Sequence, residues 1–228
     1  MNKYKLKLYI YFILIFFYPF SYFKLKFKIA FNLKISKSQI FQDLIVLYFT
    51  KYKTKGYFIE VGAGDGYHLS NTYFLEKFYK WNGLLIEPLK SLYNNQKRYR
   101  KCERINAAVY KQDTQKFFYE REDVYSSSID KKYKFKKKYK LKFLKMSTIF
   151  KIKKIQNKID YLSIDIEGNE LDVLKTLNFK KNRIKFISIE HNFDEIKRLK
   201  IFNYLSKLGY NRVLKKISYM DDYYIFTN

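Results

Sequence analysis

Apolar and polar positions change period several times along the chain. Ile40, Phe41, Leu44, Ile45, Leu47 and Tyr48 recur at helical spacing, which predicts an amphipathic helix over residues 38–52, N-capped by Ser38 and packed on a sheet edge. From Gly56 onward, apolar runs of strand length alternate with helical stretches. Strands are predicted at 57–61, 84–87 and 105–110, with a helix near 71–80 between the first two. The second half continues with a strand at 160–166, a helix at 170–177, a strand at 186–190 and a helix at 193–208. It ends in strands at 210–215 and 223–227, close enough to pair as an antiparallel hairpin. Such alternation predicts an α/β fold of the Rossmann-like kind, mostly parallel, with helices on both faces and an antiparallel strand at the C-terminus.

The glycines agree with this division, because a residue costly inside an element belongs at the joints. Gly56, Gly83 and Gly209 precede predicted strands, and Gly62, Gly64, Gly66 and Gly168 follow them. The chain of 228 residues, 47% of them apolar, suffices for one core of ordinary domain size. That domain is assigned to residues 38–228. Residues 1–37 form an apolar segment and a basic linker. Within them, residues 8–23 are an uncharged run flanked by lysines on both sides, a little short of the roughly 20 residues that span a bilayer core. No small-residue cleavage site follows, so an uncleaved signal anchor and membrane association are expected, the alternative being a buried N-terminal element in a cytoplasmic protein. Lysines at both ends leave the orientation open.

A net charge of +26 ordinarily points to nucleic acid or an anionic surface. Here 24 Tyr and 22 Phe against seven Gly and two Pro give the signature of an AT-rich coding sequence, and no specific nucleic-acid partner is expected. The Lys-rich stretch 130–145 reads as a solvated edge strand or extended loop, able to meet phosphate, an acidic lipid surface or an anionic substrate. Cys102 is the only cysteine, so no internal disulfide forms.

The chemistry concentrates after two predicted strands. The first runs into Glu60 and then Gly62, Ala63, Gly64, Asp65 and Gly66, with Ser70 and Asn71 opening a helix. Glycines there allow a tight turn and close approach of a ligand to the backbone, as in nucleotide-type cofactor sites. The spacing G-x-G-x-G differs from the dinucleotide fingerprint, and an acid before it would repel pyrophosphate. A cofactor with a cationic end suits Glu60 better, and a nicotinamide-dependent oxidoreductase is disfavoured. Glu87, followed by Pro88, ends the next strand 21 residues after Gly66, the separation at which a carboxylate takes both ribose hydroxyls. The second constellation places Asp165 and Glu167 after one strand and Glu190 and His191 at the end of the next. His191 is the preferred general base, since imidazole titrates near neutrality. Asp165, Glu167 and His191 are alternatively ligands for a divalent cation.

These stretches, EVGAGDG, SNTYFLEK, W-x-G-x-x-I-E-P, RINAAVY and YLSIDIEGNELDVLK, closely resemble the FkbM family of methyltransferases over roughly residues 38–209, the Lys-rich segment being the divergent part. The resemblance implies a class I methyltransferase sheet and S-adenosylmethionine as cofactor. It implies O-methylation of a hydroxyl-bearing acceptor: a sugar, lipid or small metabolite. It puts Glu60, Gly62, Gly64, Asp65, Gly66, Asn71 and Glu87 at the cofactor, and Asp165, Glu167 and His191 near the acceptor. A family domain behind an apolar anchor is also compatible with a non-catalytic, membrane-associated trafficking protein, because a retained loop does not prove a retained reaction.

Overall fold

A computed structural model describes residues 35–155, 157–216 and 218–227. The apolar run at 8–23, and with it the expected anchor, lies outside the described residues. Among those described, no helix is long and apolar enough to cross a membrane.

The first half of the chain forms α1 (Gln42–Phe49), β1 (Tyr57–Val61), α2 (Tyr73–Tyr79), β2 (Asn82–Glu87), α3 (Lys90–Gln96) and β3 (Glu103–Asn106). An inserted unit follows, with β4 (Ala108–Val109), β5 (Thr114–Glu120) and β6 (Lys137–Leu144). The rest comprises α4 (Met146–Ile152), β7 (Lys158–Ile164), α5 (Glu170–Leu174), β8 (Arg183–Glu190), α6 (Glu195–Lys207), β9 (Tyr210–Val213) and β10 (Asp221–Phe226). The main sheet runs in the order β3-β2-β1-β7-β8-β10-β9. Every neighbouring pair from β3 to β8 is parallel, and β10 lies antiparallel between β8 and β9. The expected mostly parallel sheet and terminal hairpin are therefore present.

Alternation along the strands sorts side chains to two apolar cores. Ile59 and Val61 of β1 join Met146 and Ile149 of α4, Val173 of α5 and Ile201 and Leu205 of α6 on one face. Phe58 of β1 joins Ile45 and Val46 of α1 and Phe74 and Leu75 of α2 on the other. Each face is thus covered by helices, and the loops at the carboxyl ends of the parallel strands are left to meet ligands.

Three expectations are corrected. The first helix begins at Gln42, not near Ser38, because Phe41 adopts a left-handed conformation at φ 63° and Ser38 donates its hydroxyl to the buried Asp43 carboxylate at 2.6 Å. It covers the sheet interior and not an edge, the Phe49 ring stacking on Phe186 of β8 at 5.3 Å. The strand expected at 105–110 is two strands in different sheets: beyond Asn106 the chain leaves β2 and pairs Ala108 and Val109 with Phe143 and Leu144. The Lys-rich stretch supplies β6, the central strand of a three-stranded sheet between β4 and β5. Lys138, Lys140 and Lys142 are exposed on one side, while Tyr139, Leu141 and the buried Phe143 pack together on the other, so one side is solvated as expected.

The turn after β1 is the tightest joint. Gly62 has φ 82°, and a Cβ there would stand 1.7 Å from the Asp165 carbonyl oxygen. Gly62→Ala is expected to destabilise the fold by about 2–5 kcal/mol, the sum of left-handed strain and overpacking. Urea unfolding measures this, and an unchanged midpoint would show that the β1 and β7 loops are not seated against each other.

Candidate functional site

The loop after β1 is built from backbone hydrogen bonds and two carboxylates. Gly62 and Ala63 donate their N–H groups to the Ile86 carbonyl of β2. Glu87 accepts from the Gly64 N–H at 2.9 Å with one oxygen and from the Leu89 N–H at 2.8 Å with the other. Gln96 of α3 donates to the Gly64 carbonyl at 2.8 Å, so the backbone of Gly64 is held on both its N–H and its C=O. Burial pushes the Glu87 carboxyl up to about 8, the two backbone donors opposing and the Asp65 charge adding to it.

Glu60 ends in a different environment. It accepts from the Asn71 N–H at 2.6 Å, from the Ser70 hydroxyl at 3.0 Å and from the Thr72 hydroxyl, all at the start of α2. Arg100 stands 3.7 Å away. That guanidinium is buried and donates to Glu76 at 2.6 Å, to the Gly66 carbonyl at 3.0 Å and to the Ser70 and Thr72 hydroxyls. Burial raises the Glu60 carboxyl while Arg100 and the hydrogen bonds lower it. Glu60 therefore orders the loop and the helix start. Arg100 was not anticipated: one of three arginines in the basic stretch 97–104, it carries no local signal of burial.

A cavity of about 260 Å³ opens at this end of the sheet. Of the residues expected at a cofactor, Glu60, Gly62, Ala63, Gly64, Ser70, Asn71, Glu87 and Pro88 line it. Asp65 and Gly66 do not. Asp65 turns back to accept from the Tyr67 and His68 N–H groups and to pair with His68 Nδ1 at 2.6 Å. Asn71 donates its amide to the Ser163 hydroxyl at 2.9 Å, and its buried Oδ1 has no hydrogen-bond partner among the described residues. Tyr125, on a short 3₁₀ turn of the inserted unit, also lines the cavity and lies against Gly64.

Of the residues expected near the acceptor, Asp165 and Glu167 line the far side of the cavity and His191 does not. It is buried, its Nδ1 accepts from the Phe193 N–H at 3.1 Å, and its Nε2 stands 3.9 Å from Asp222. Burial lowers its pKa, Asp222 opposing. The residue before it, Glu190, reaches the cavity instead, and carboxylate oxygens of Asp165, Glu167 and Glu190 lie within 4.8 Å of one another. Burial, with the charges of Asp221, Glu167 and Glu170, holds Asp165 well above the carboxylate range. Burial and the Asp165 charge push Glu190 up to about 10.

A parallel sheet of this order, a glycine loop after its first strand and acids at the ends of the next strands define a Rossmann-like class I methyltransferase fold. Residues 60–212 match the Methyltransferase FkbM domain, and the chain belongs to the FkbM methyltransferase family. Its structure is similar to that of methyltransferase FkbM from Methylobacillus flagellatus KT, with a TM-score of 0.52 and 12% identity over 76% of this chain. The chain spans 44% of the length of that protein. A methyltransferase from Pyrococcus furiosus gives a TM-score of 0.43 at 13% identity, over 80% of this chain and 79% of that one. The N-terminal domain of human METTL16 in complex with SAH gives 0.43 at 13%, over 82% and 68%. No curated protein sequence matches the chain.

Glu87 makes stability depend on pH. Its carboxyl stands at about 8 against 4.5 when unperturbed, so the stability it contributes is full below 4.5 and is lost as pH rises through 8. Asp65 and Tyr125 are the ionisable groups facing it. Glu87→Gln is expected to lower stability at pH 5, because an amide cannot accept from both N–H groups, and to flatten the decline of the unfolding midpoint toward pH 8. Thermal unfolding across that range checks it, and a slope equal to wild type would remove Glu87 as the titrating group.

Proposed function

We propose that the chain methylates a hydroxyl oxygen of a sugar, lipid or small metabolite, with S-adenosylmethionine as methyl donor. The observation that carries the reading is the buried Asn71 Oδ1, an acceptor without a hydrogen-bond partner among the described residues, in a cavity that also presents Glu87 and the side-chain-free backbone of the glycine loop. The donor set fits this cofactor. Asn71 Oδ1 can accept from its ammonium group, and the outward lone pairs of Glu87 can accept from two ribose hydroxyls. A Cβ on the loop would fill the cradle: at Gly64 it would stand 2.8 Å from the Tyr125 ring. Membership of the FkbM family supports the same cofactor.

When bound, S-adenosylmethionine supplies a methyl group already activated by its sulfonium. The residues of this chain then have to hold an acceptor hydroxyl in line, exclude water and take its proton. His191 sits behind the cavity wall with Nδ1 engaged, so the proton goes to the carboxylates on the acceptor side, Asp165 foremost. The apolar segment at 8–23 would keep this chemistry at a membrane surface.

Calorimetric titration of S-adenosylmethionine into the full chain tests the reading. Micromolar binding is expected, weakened about tenfold or more in Asn71→Leu and in Glu87→Ala, the usual loss for a hydrogen bond to a charged or buried partner. A folded chain that binds no S-adenosylmethionine would overturn the reading and favour a non-catalytic role for the fold.

A further inference from the structure

The acceptor side of the cavity concentrates carboxyl groups in a chain that carries a net +26. Carboxylate oxygens of Asp165 and Glu167, from the loop after β7, and of Glu190, the last residue of β8, lie within 4.8 Å of one another. Two ligands on opposite sides of one ion stand twice the metal–oxygen distance apart, about 4.2 Å for Mg²⁺ and about 4.8 Å for Ca²⁺. The bound of 4.8 Å is the span of one Ca²⁺, and side-chain rotations of a few tenths of an ångström bring the three groups to the span of a smaller ion such as Mg²⁺.

A second observation points to a ligand. Glu190 is only 4% exposed, and its Oε2 has no hydrogen-bond partner among the described residues, although the residue lines the cavity. A buried acceptor of that kind is costly unless something meets it. Lys197 and Arg121 are near enough to favour the charged form of Glu167, but neither hydrogen-bonds to the three acids: Lys197 pairs with Glu170 at 3.1 Å, and Arg121 donates to the Ser128 hydroxyl at 2.9 Å. An ammonium group would offset one charge of three, and Asn71 already offers it an acceptor. An all-oxygen set favours a hard divalent ion over zinc.

We propose that Asp165, Glu167 and Glu190 bind one hard divalent cation of the Mg²⁺ or Mn²⁺ kind, whose remaining positions are open to oxygens of the acceptor. The second half of this statement rests on the methyltransferase reading; the ion site does not. Three protein ligands leave room on a six-coordinate ion for two neighbouring acceptor oxygens, which selects acceptors with a vicinal diol or a hydroxyl beside a carbonyl. An ion there would lower the hydroxyl pKa directly.

Titration of the full chain with Mn²⁺, followed by the paramagnetic resonance of the free ion, tests the site, with S-adenosylmethionine calorimetry run on the same protein. One Mn²⁺ per chain is expected, displaced by Mg²⁺, with affinity reduced at least about tenfold in Glu190→Gln and Glu167→Gln and unchanged in Asp130→Asn. Glu190→Gln replaces an acid whose charged form burial and its neighbours disfavour, so its unfolding midpoint without metal should hold, while the gain that Mn²⁺ gives to wild type should vanish. A chain that binds S-adenosylmethionine but no Mn²⁺, or binds Mn²⁺ equally in the variants, would overturn the ion site and leave the methyltransferase reading standing. Mn²⁺ binding lost in the variants, without S-adenosylmethionine binding, would support the ion site and overturn the methyltransferase reading.

Discussion

Strand β1 carries a carboxylate, Glu60, into the interior at the point where the chain must turn, and the ligand end of the sheet is arranged to keep that group partnered. A buried carboxylate left alone would cost several kcal/mol. Its partners are the N–H of Asn71 and the hydroxyls of Ser70 and Thr72, with Arg100 alongside. Satisfying it fixes where α2 begins, and α2 fixes Asn71 at the cavity wall. Arg100 ties the same groups to the Gly66 carbonyl and to Glu76, so the glycine loop, α2 and the entry to β3 form one hydrogen-bonded unit.

The acids of the cavity fall into two sorts, and the difference organises the site. Glu60 and Glu87 accept from protein donors on both oxygens and shape the loop. Asp165, Glu167 and Glu190 crowd together on the opposite side, and Glu190 keeps an oxygen that no described residue meets. The first pair builds a cradle before any ligand arrives. The second group awaits positive charge or a proton. The inserted sheet of β4, β5 and β6 completes the enclosure by bringing Tyr125 against Gly64.

Most of the sheet was legible because its strands are short apolar runs separated by glycines, and the FkbM resemblance rested on motifs at its joints. Legibility failed where neighbours and not periodicity decide. The sequence KKYKLKFL looks like a solvated edge, yet β5 and β4 flank it, and nothing in the loosely patterned TQKFFYE advertises the pairing. Helices α3 and α4 have seven residues each, too short to display a helical period. At the end of β8 the error was one residue: successive side chains point to opposite sides, so Glu190 enters the cavity and His191 packs behind it. The burial of Arg100 depends on partners 24 to 34 residues away, which no local pattern records.

The most direct measurement of this account is a double-mutant cycle on Glu60→Gln and Arg100→Met, read by urea unfolding of the two single variants and the double variant. Each single change strands a buried partner, so the account predicts strong non-additivity, a coupling of about 2 kcal/mol or more. Strictly additive losses would contradict it, and would mean that Glu60 and Arg100 do not hold the glycine loop and the start of α2 as one unit.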